Sequence, residues 1–387
     1  MAGQSPNGIA STSAKSAPRT SHWPPALVAT GMALLVTSIL ASCGAASTAP
    51  SSGAHSSASK SSRSQTSGGS AHMVWSKPAR IAGPLVANFG AVHAVSCASS
   101  SFCVAVDNQG NALIYNGTRW SSPQGVDSGA VTGAGDLLSV SCPTSNFCVA
   151  VDPGPAAVVY KSGHWALPRD IGSPSSPYSQ YGYSWMSVSC ASSQFCVTTL
   201  LHGVGTYNGK SWSTAPLEGR DETLTNVSCP SVGFCVGVTG SVMAGLPFGQ
   251  FVILSGGTWS PPQYVGGTSS NELSVVSCAS ASYCVGLLGN ESVTYNGSQW
   301  SKPVAIQPGV SSSDWVSLSC SSQHFCVAVE AGLAATYNGR TWSAPTVIDG
   351  AAGGGRDPVV SCSAGGFCMV IEDQGLGGEA AVVGHLG

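Results

Sequence analysis

Fourteen of the fifteen cysteines come as seven pairs with five residues between the partners: Cys97/Cys103, Cys142/Cys148, Cys190/Cys196, Cys229/Cys235, Cys278/Cys284, Cys320/Cys326 and Cys362/Cys368. Thiols at this density can hold metal, cycle electrons or close disulfides. The spacing is wrong for a CxxC redox centre. So many free thiols would also burden a protein in a reducing cytosol, which points to an oxidising compartment and structural disulfides. Each bridge would close a loop of about seven residues and contribute on the order of 2 kcal/mol by loop-closure entropy.

Other chemistry is sparse. The sequence contains no nucleophile elbow, zinc-binding helix motif, phosphate loop or dinucleotide fingerprint, so no catalytic residue and no cofactor is assigned. The histidines are scattered: His202 has no sequence-level Ser or Asp partner, and His164 and His324 sit in turns. VDNQG (Val106 to Gly110) and IEDQG (Ile371 to Gly375) read as turns, not calcium loops, because the ligand spacing stops short. A formal charge of −3 and the lack of any Lys/Arg run exclude nucleic acid as a partner.

The pairs must be positioned by a repeat. First cysteines recur every 39 to 49 residues, a mean of roughly 44, the length of one four-stranded propeller blade. Each unit parses alike. A first strand ends at the first Cys, as in LLSVSC (Leu137 to Cys142), and a Ser-rich turn leads to a second strand, FCVAVD (Phe147 to Asp152). A third strand ends in an aromatic-Asn-Gly turn, YNG at Tyr115, Tyr207, Tyr295 and Tyr337, where Asn and Gly supply the positive φ of a tight hairpin. The fourth begins with Trp and often reads WSxP: Trp120, Trp165, Trp212, Trp259, Trp300 and Trp342. Proline removes a ladder donor, so this strand belongs on the outer edge.

Seven Cys-pair units are followed by only six Trp strands, and the missing one is VWSKP (Val74 to Pro78), ahead of the first pair. The expected fold is therefore an all-β, seven-bladed propeller of four-stranded blades over residues 73–387, with the N-terminal strand completing the last blade and leaving no open ring edge. Cys pairs flanking a hairpin can reach disulfide separation. Seven pairs set around a ring cannot converge on one zinc, so no metal is assigned to them.

In such a ring the Cys hairpins and YNG turns share one uniform face. The connections from fourth strand to next first strand, and from second to third, share the other, where ligands bind around a channel mouth. Departures from the repeat on this variable face are the candidate ligand contacts. Tyr178, Tyr181, Tyr183 and Trp185 crowd the longest connection, Ile171 to Trp185, and Trp315 stands five residues before its Cys, as Trp185 does. These aromatics suit stacking on sugar rings or peptide side chains, and equally suit packing as a plug over the channel. Asp136, Glu272 and Asp314 each lie six residues before a first Cys, with Asp221 and Glu222 in a neighbouring connection. They suit a cation or a carboxylate pair; solvated loop charge is the plain alternative. GSVMAGLPFGQ (Gly240 to Gln250) adds an apolar lip.

Residues 1–43 read as an export signal: Lys15 and Arg19 in a polar leader, then an apolar run from Ala26 to Leu40, too short for a spanning helix. It ends in LASC (Leu40 to Cys43), which resembles the lipobox of bacterial lipoproteins. The resemblance implies that Cys43 is lipidated and becomes the mature N-terminus, which also accounts for its lack of a partner. An uncleaved helical anchor remains the other reading. Residues 44–72, rich in Ser, Ala and Gly, have no apolar periodicity and read as a disordered tether.

YNGTRW (Tyr115 to Trp120), LSGGTW (Leu254 to Trp259), YNGSQW (Tyr295 to Trp300) and YNGRTW (Tyr337 to Trp342) resemble the Asp-box, S-x-D-x-G-x-T-W, of sialidases and related propellers, although the Asp is absent throughout. The box marks a fold element and does not identify a catalyst. A sialidase-like site would need three converging Arg, a Tyr nucleophile with a Glu partner, and an acid/base Asp. Arg80, in ARIAGP, resembles the FRIP segment that carries one sialidase Arg, yet falls at an ordinary outer-strand position; Arg119 and Arg340 occupy turns. Arg169, Arg220 and Arg356 remain for the variable face.

The expectation is a monomeric, lipid-anchored, extracytoplasmic propeller that binds a glycan or protein on its variable face without chemistry and meets the membrane through its lipid alone. A sialidase-like exo-glycoside hydrolase and a structural scaffold of an envelope complex are the alternatives.

Overall fold

The computed structural model describes residues 72–81, 90–131, 135–172, 186–201, 203–217, 223–240, 249–267, 272–307, 315–348, 356–373 and 378–387. Alternating apolar residues in short runs between Gly- and Asn-rich turns produce strands throughout. They form seven antiparallel sheets of four layers of strand, in chain order from the innermost in six of them; in the seventh the outermost strand is N-terminal, and there and in the second blade it comes in two pieces. In the first blade these are Val92–Ser99, Phe102–Asp107, Asn111–Tyr115 and Gln124–Gly125. Among the described residues no helix is long and apolar enough to cross a membrane.

Closure occurs as the repeat count requires. Met73–Trp75 pairs with Glu379–Leu386 in the register Met73↔Leu386, Val74↔His385 and Trp75↔Gly384, and Ala79–Arg80 pairs with the same strand at Ala381 and Ala380. Met73 and Trp75 pack onto Val327, Val360 and Val382, so the opening segment fills the layer between the sixth and seventh blades.

The core is a set of layers between blades. Each second strand is buried on both faces: Val104 and Val106 pack forward onto Leu137 and Val140 of the next blade, while Cys103 and Ala105 pack back onto Met369 and Ile371. All seven disulfides form across the first hairpin, with Cα separations of 3.9 to 4.1 Å.

The bridges lie deeper than their place beside a turn suggests. The second cysteine of every pair, Cys103, Cys148, Cys196, Cys235, Cys284, Cys326 and Cys368, is fully buried, and the first keeps only a sliver of exposure. The staple expected across each hairpin is therefore a core element as well. The physical reason is that these seven residues stand on the second strands, which neighbouring blades cover from both sides. Cys148 joins Val104 and Val140, Cys235 joins Val197 and Leu254, and Cys284 joins Val236 and Val293. Cys326 likewise packs with Val285 and Leu318, and Cys368 with Val327 and Val370. Each disulfide thus both closes its hairpin and fills an interblade layer, and none presents its second sulfur to a ligand.

The Ser before each first Cys has a role that the repeat alone did not reveal. Its hydroxyl accepts a hydrogen bond from the backbone N–H of the first Cys in the next blade, from Ser96 to Cys142 at 2.9 Å and so on around to Ser361 and Cys97 at 2.9 Å. An innermost strand has no further strand to pair with. Seven side chains supply acceptors in its place, one per blade, and the last closes the circle.

The fourth strands differ from expectation in one respect. Trp120, Trp300 and Trp342 make only a single bridge to the Tyr of their own turn, and pairing resumes past the proline. Only Trp212–Pro216 runs unbroken. Proline on the edge strand therefore interrupts pairing as well as marking the edge.

Candidate functional site

The two ends of the ring are built from different material. At one end each turn repeats the same chemistry: Asn116 Oδ1 accepts from the N–H groups of Thr118 and Arg119, and Asn208, Asn296 and Asn338 do the same in their blades. Tyr and Trp pack beside the turn with ring centroids 5.1 to 5.4 Å apart. This uniformity is structural. Burial pushes the hydroxyls of Tyr115, Tyr283 and Tyr295 above the ordinary tyrosine range, which disfavours the phenolate a nucleophile requires.

At the other end the connections vary, and there the acids gather. All seventeen Asp and Glu of the chain lie beyond residue 100. Among the described residues they sit where strands meet the variable face: Asp107, Glu330 and Glu372 at the ends of second strands, Glu291 and Glu379 at the starts of third strands, Asp170 at the end of a fourth strand and Asp136 ahead of a first. The described lysines divide the other way. Lys161 and Lys210 stand at the turns of the uniform face with Arg119 and Arg340, and Lys77 and Lys302 lie partway along outermost strands, whereas Arg80 and Arg169 end such strands at the variable face. Among the described residues carboxylates thus outnumber cations at the variable face, where Arg80 and Arg169 stand beside Glu379 and Asp170, and the turns of the uniform face carry cations only.

Several of these carboxylates are consumed structurally. Asp107, fully buried, accepts from the N–H groups of Gly90, Gln109 and Asn111 and from the Asn111 side chain. Asp152 holds its own turn through Gly154 and Ala156. Glu379 reaches from the last blade to the N–H of Val92 in the first, 3.1 Å away, and so helps close the ring.

Of the sequence-derived contacts, Tyr178, Tyr181, Tyr183, Trp185, Asp314 and Arg220 lie outside the described residues, as do Cys43 and the residues of the signal and tether; for Arg356 the backbone alone is described, at the start of the innermost strand of the seventh blade. Trp315 is a correction. It is 1% exposed, packs on Leu287, Ile306 and Leu318, and donates its ring N–H to Asn290 Oδ1 at 3.2 Å. A buried indole with its one donor satisfied belongs to the core between blades and does not stack on a ligand at the rim.

Asp136 and Glu272 stand on different blades. Glu272 is exposed and rests against Gly249, whereas Asp136 lines a cleft of about 340 Å³ with Asn108, Gln109, Asp127, Ser128, Gly135 and Pro153. Asp127 was not singled out in the sequence, since it belongs to no repeat position. A second groove, about 650 Å³, runs along the outer rim between the fourth and fifth blades and is lined by Tyr264, Gln263 and Trp300. Among the described residues the Arg side chains do not converge: Arg80 and Arg169 are exposed on outermost strands of different blades, and Arg119 and Arg340 belong to the opposite face.

No family model matches the sequence, and no curated protein matches it. Solved structures do match in shape. A catalytically inactive virginiamycin B lyase from Staphylococcus aureus, with quinupristin, aligns at TM-score 0.62 and 6% identity over 81% of this chain and 99% of that one. The WD40 repeats of RRP9 align at 0.57 and 9%, over 76% and 94%. YCF48 bound to D1 peptide aligns at 0.53 and 14%, over 77% and 92%. At these identities the likeness establishes the fold, and the chain is a seven-bladed β-propeller.

Proposed function

We propose that this protein is a lipid-anchored, extracytoplasmic propeller that captures a protein ligand through a Lys/Arg-bearing segment on its variable face, without chemistry. One observation carries the reading: among the described residues carboxylates gather at the variable face, where they outnumber Arg80 and Arg169, whereas the turns of the uniform face carry only cations. An anionic rim attracts and orients a cationic partner, and repels anionic glycans such as sialosides. Glu272 and Glu291, both exposed, supply charge to that rim. The propeller solved with a bound peptide supports the same mode by analogy.

The hydrolase reading loses ground to the dispersal of Arg80, Arg119, Arg169 and Arg340. The test pairs two assays on the purified full chain. Peptide arrays graded in net charge should retain the protein on basic sequences and release it with salt, and a fluorogenic sialoside should remain intact. Equal retention on acidic and basic peptides, or turnover of the sialoside, would refute the proposal.

A further inference from the structure

The cleft between the first two blades contains two buried carboxyl oxygens that accept no hydrogen bond. Asp127 is 4% exposed. Its Oδ1 accepts the Gly129 N–H at 2.8 Å, but its Oδ2 is buried with no partner, and the same holds for Oδ1 of Asp136 in the same cleft. A buried carboxylate oxygen left unpaired costs far more than one in water, so two together call for a positive partner.

Both carboxylates are fixed in place. The N–H groups of Val126 and Asp127 donate to the Gly110 carbonyl at 2.8 and 3.0 Å, and Leu137 N–H donates to the Asp107 carbonyl at 3.1 Å. The two ends of the connection are thereby pinned to the 107–110 turn. Gly110, with φ 75°, is required there, because a Cβ would collide with the carbonyls of Asp127 and Gly135. Asp107 shapes that turn and is fully engaged, whereas Asn108 and Gln109 at its tip line the cleft with Ser128.

We propose that this cleft binds a divalent cation of the Ca²⁺ type, with Asp127 Oδ2 and Asp136 Oδ1 as its charged ligands. Among the described residues no third Asp, Glu, His or Cys joins them. Two carboxylates balance one divalent charge, and the amide and hydroxyl oxygens around them, with water, complete an all-oxygen shell of the kind Ca²⁺ takes. Binding ties the connection entering the second blade to the turn of the first, so the ion bridges two blades. The inference does not depend on what the variable face captures.

The test is a CaCl₂ titration of the purified full-length chain, read by calorimetry and by Tm. One saturable site per chain is expected, with Kd of roughly 10⁻⁴ to 10⁻³ M, the range of extracellular calcium modules, and Tm should rise as the site fills. Asp127→Asn and Asp136→Asn should each weaken binding at least tenfold, while Asp170→Asn, on the outer strand of the second blade, should leave it unchanged. If Asp127→Asn fails to fold, the half-exposed Asp136→Asn decides alone. A wild-type chain without a saturable site, or an Asp136→Asn variant that binds as the wild type does, would overturn the proposal.

Discussion

At the scale of single residues, the Ser-Cys dipeptide contributes to stability through both members. The Ser hydroxyl links neighbouring blades, so Ser277→Ala, which strips the acceptor from Cys320 N–H, should lower stability by about 1 kcal/mol. A lower guanidinium midpoint at unchanged slope is the expected readout. Trp315→Ala should cost about 3 to 5 kcal/mol, as emptying a buried indole site does. The effect should appear in thermal unfolding whether or not ligand is present, as expected of a core residue. The raised hydroxyls of Tyr115, Tyr283 and Tyr295 set an alkaline limit. In the unfolded chain they ionise near pH 10, in the folded chain later; stability is therefore intact below that pH and falls as pH rises through it. Absorbance of phenolate during an alkaline titration should appear together with loss of structure. The dipeptide was visible in every repeat, but its partner lies in the next blade, 40 to 50 residues away in six cases and 264 across the closure, so its function became legible only with the ring assembled. Asp127 was illegible for a related reason: its burial depends on Gly110 allowing the connection to fold back.

At the scale of strands and hairpins, much was readable because it is local. Cysteine spacing, the Asn-Gly turn and the proline of the fourth strand each encode geometry within a few residues. The disulfides follow from that geometry, although the depth of their second sulfurs does not, since it is the neighbouring blade that covers them. Cys190→Ala with Cys196→Ala should cost about 2 kcal/mol in the oxidised protein and well under that in reductant, where only the packing of Cys196 is lost. Thermal melts with and without reductant separate the two. Trp315 was misplaced for an equally local reason. Its offset from the Cys matched that of Trp185, but Asn290, in the connection between second and third strands of the preceding blade, offers the indole N–H an acceptor and draws the ring inward. The clasp, by contrast, was legible from counting alone, since an unmatched Trp strand at one end had to meet an incomplete unit at the other. Met73→Ala removes a buried side chain from that junction and should cost about 2 kcal/mol or more.

At the scale of the whole molecule, the ring divides its labour between two ends. One end repeats a turn that tolerates little change, because positive φ at Gly117, Gly209, Gly297 and Gly339 and the Asn caps recur there. The other end varies between blades, although the ends of its connections, such as Val126, Leu137, Ile171 and Trp315, are anchored in the packed layers beneath. Charge follows the same division, and strand direction is needed to see it: residues scattered over nearly 300 positions reach one face only after each is assigned to the start or end of a strand. A net charge of −3 hides this, because many of the cations that offset the acids sit at the far end or precede the ring, and Arg80 and Arg169 are outnumbered where they meet the acids. The consequence can be measured by altering each end separately. Glu272→Gln with Glu291→Gln removes two exposed charges from the variable face; Lys210→Gln with Arg340→Gln removes two from the turn face. Because screening confines such fields to about 10 Å at 0.1 M salt, only the first pair should weaken capture of a Lys/Arg-rich peptide. The loss should be about two- to fivefold per charge, the size of an exposed ion pair worth under 1 kcal/mol, and should shrink as salt is raised. Equal losses from both pairs would mean that the net charge of the molecule, and not the arrangement of its faces, governs binding.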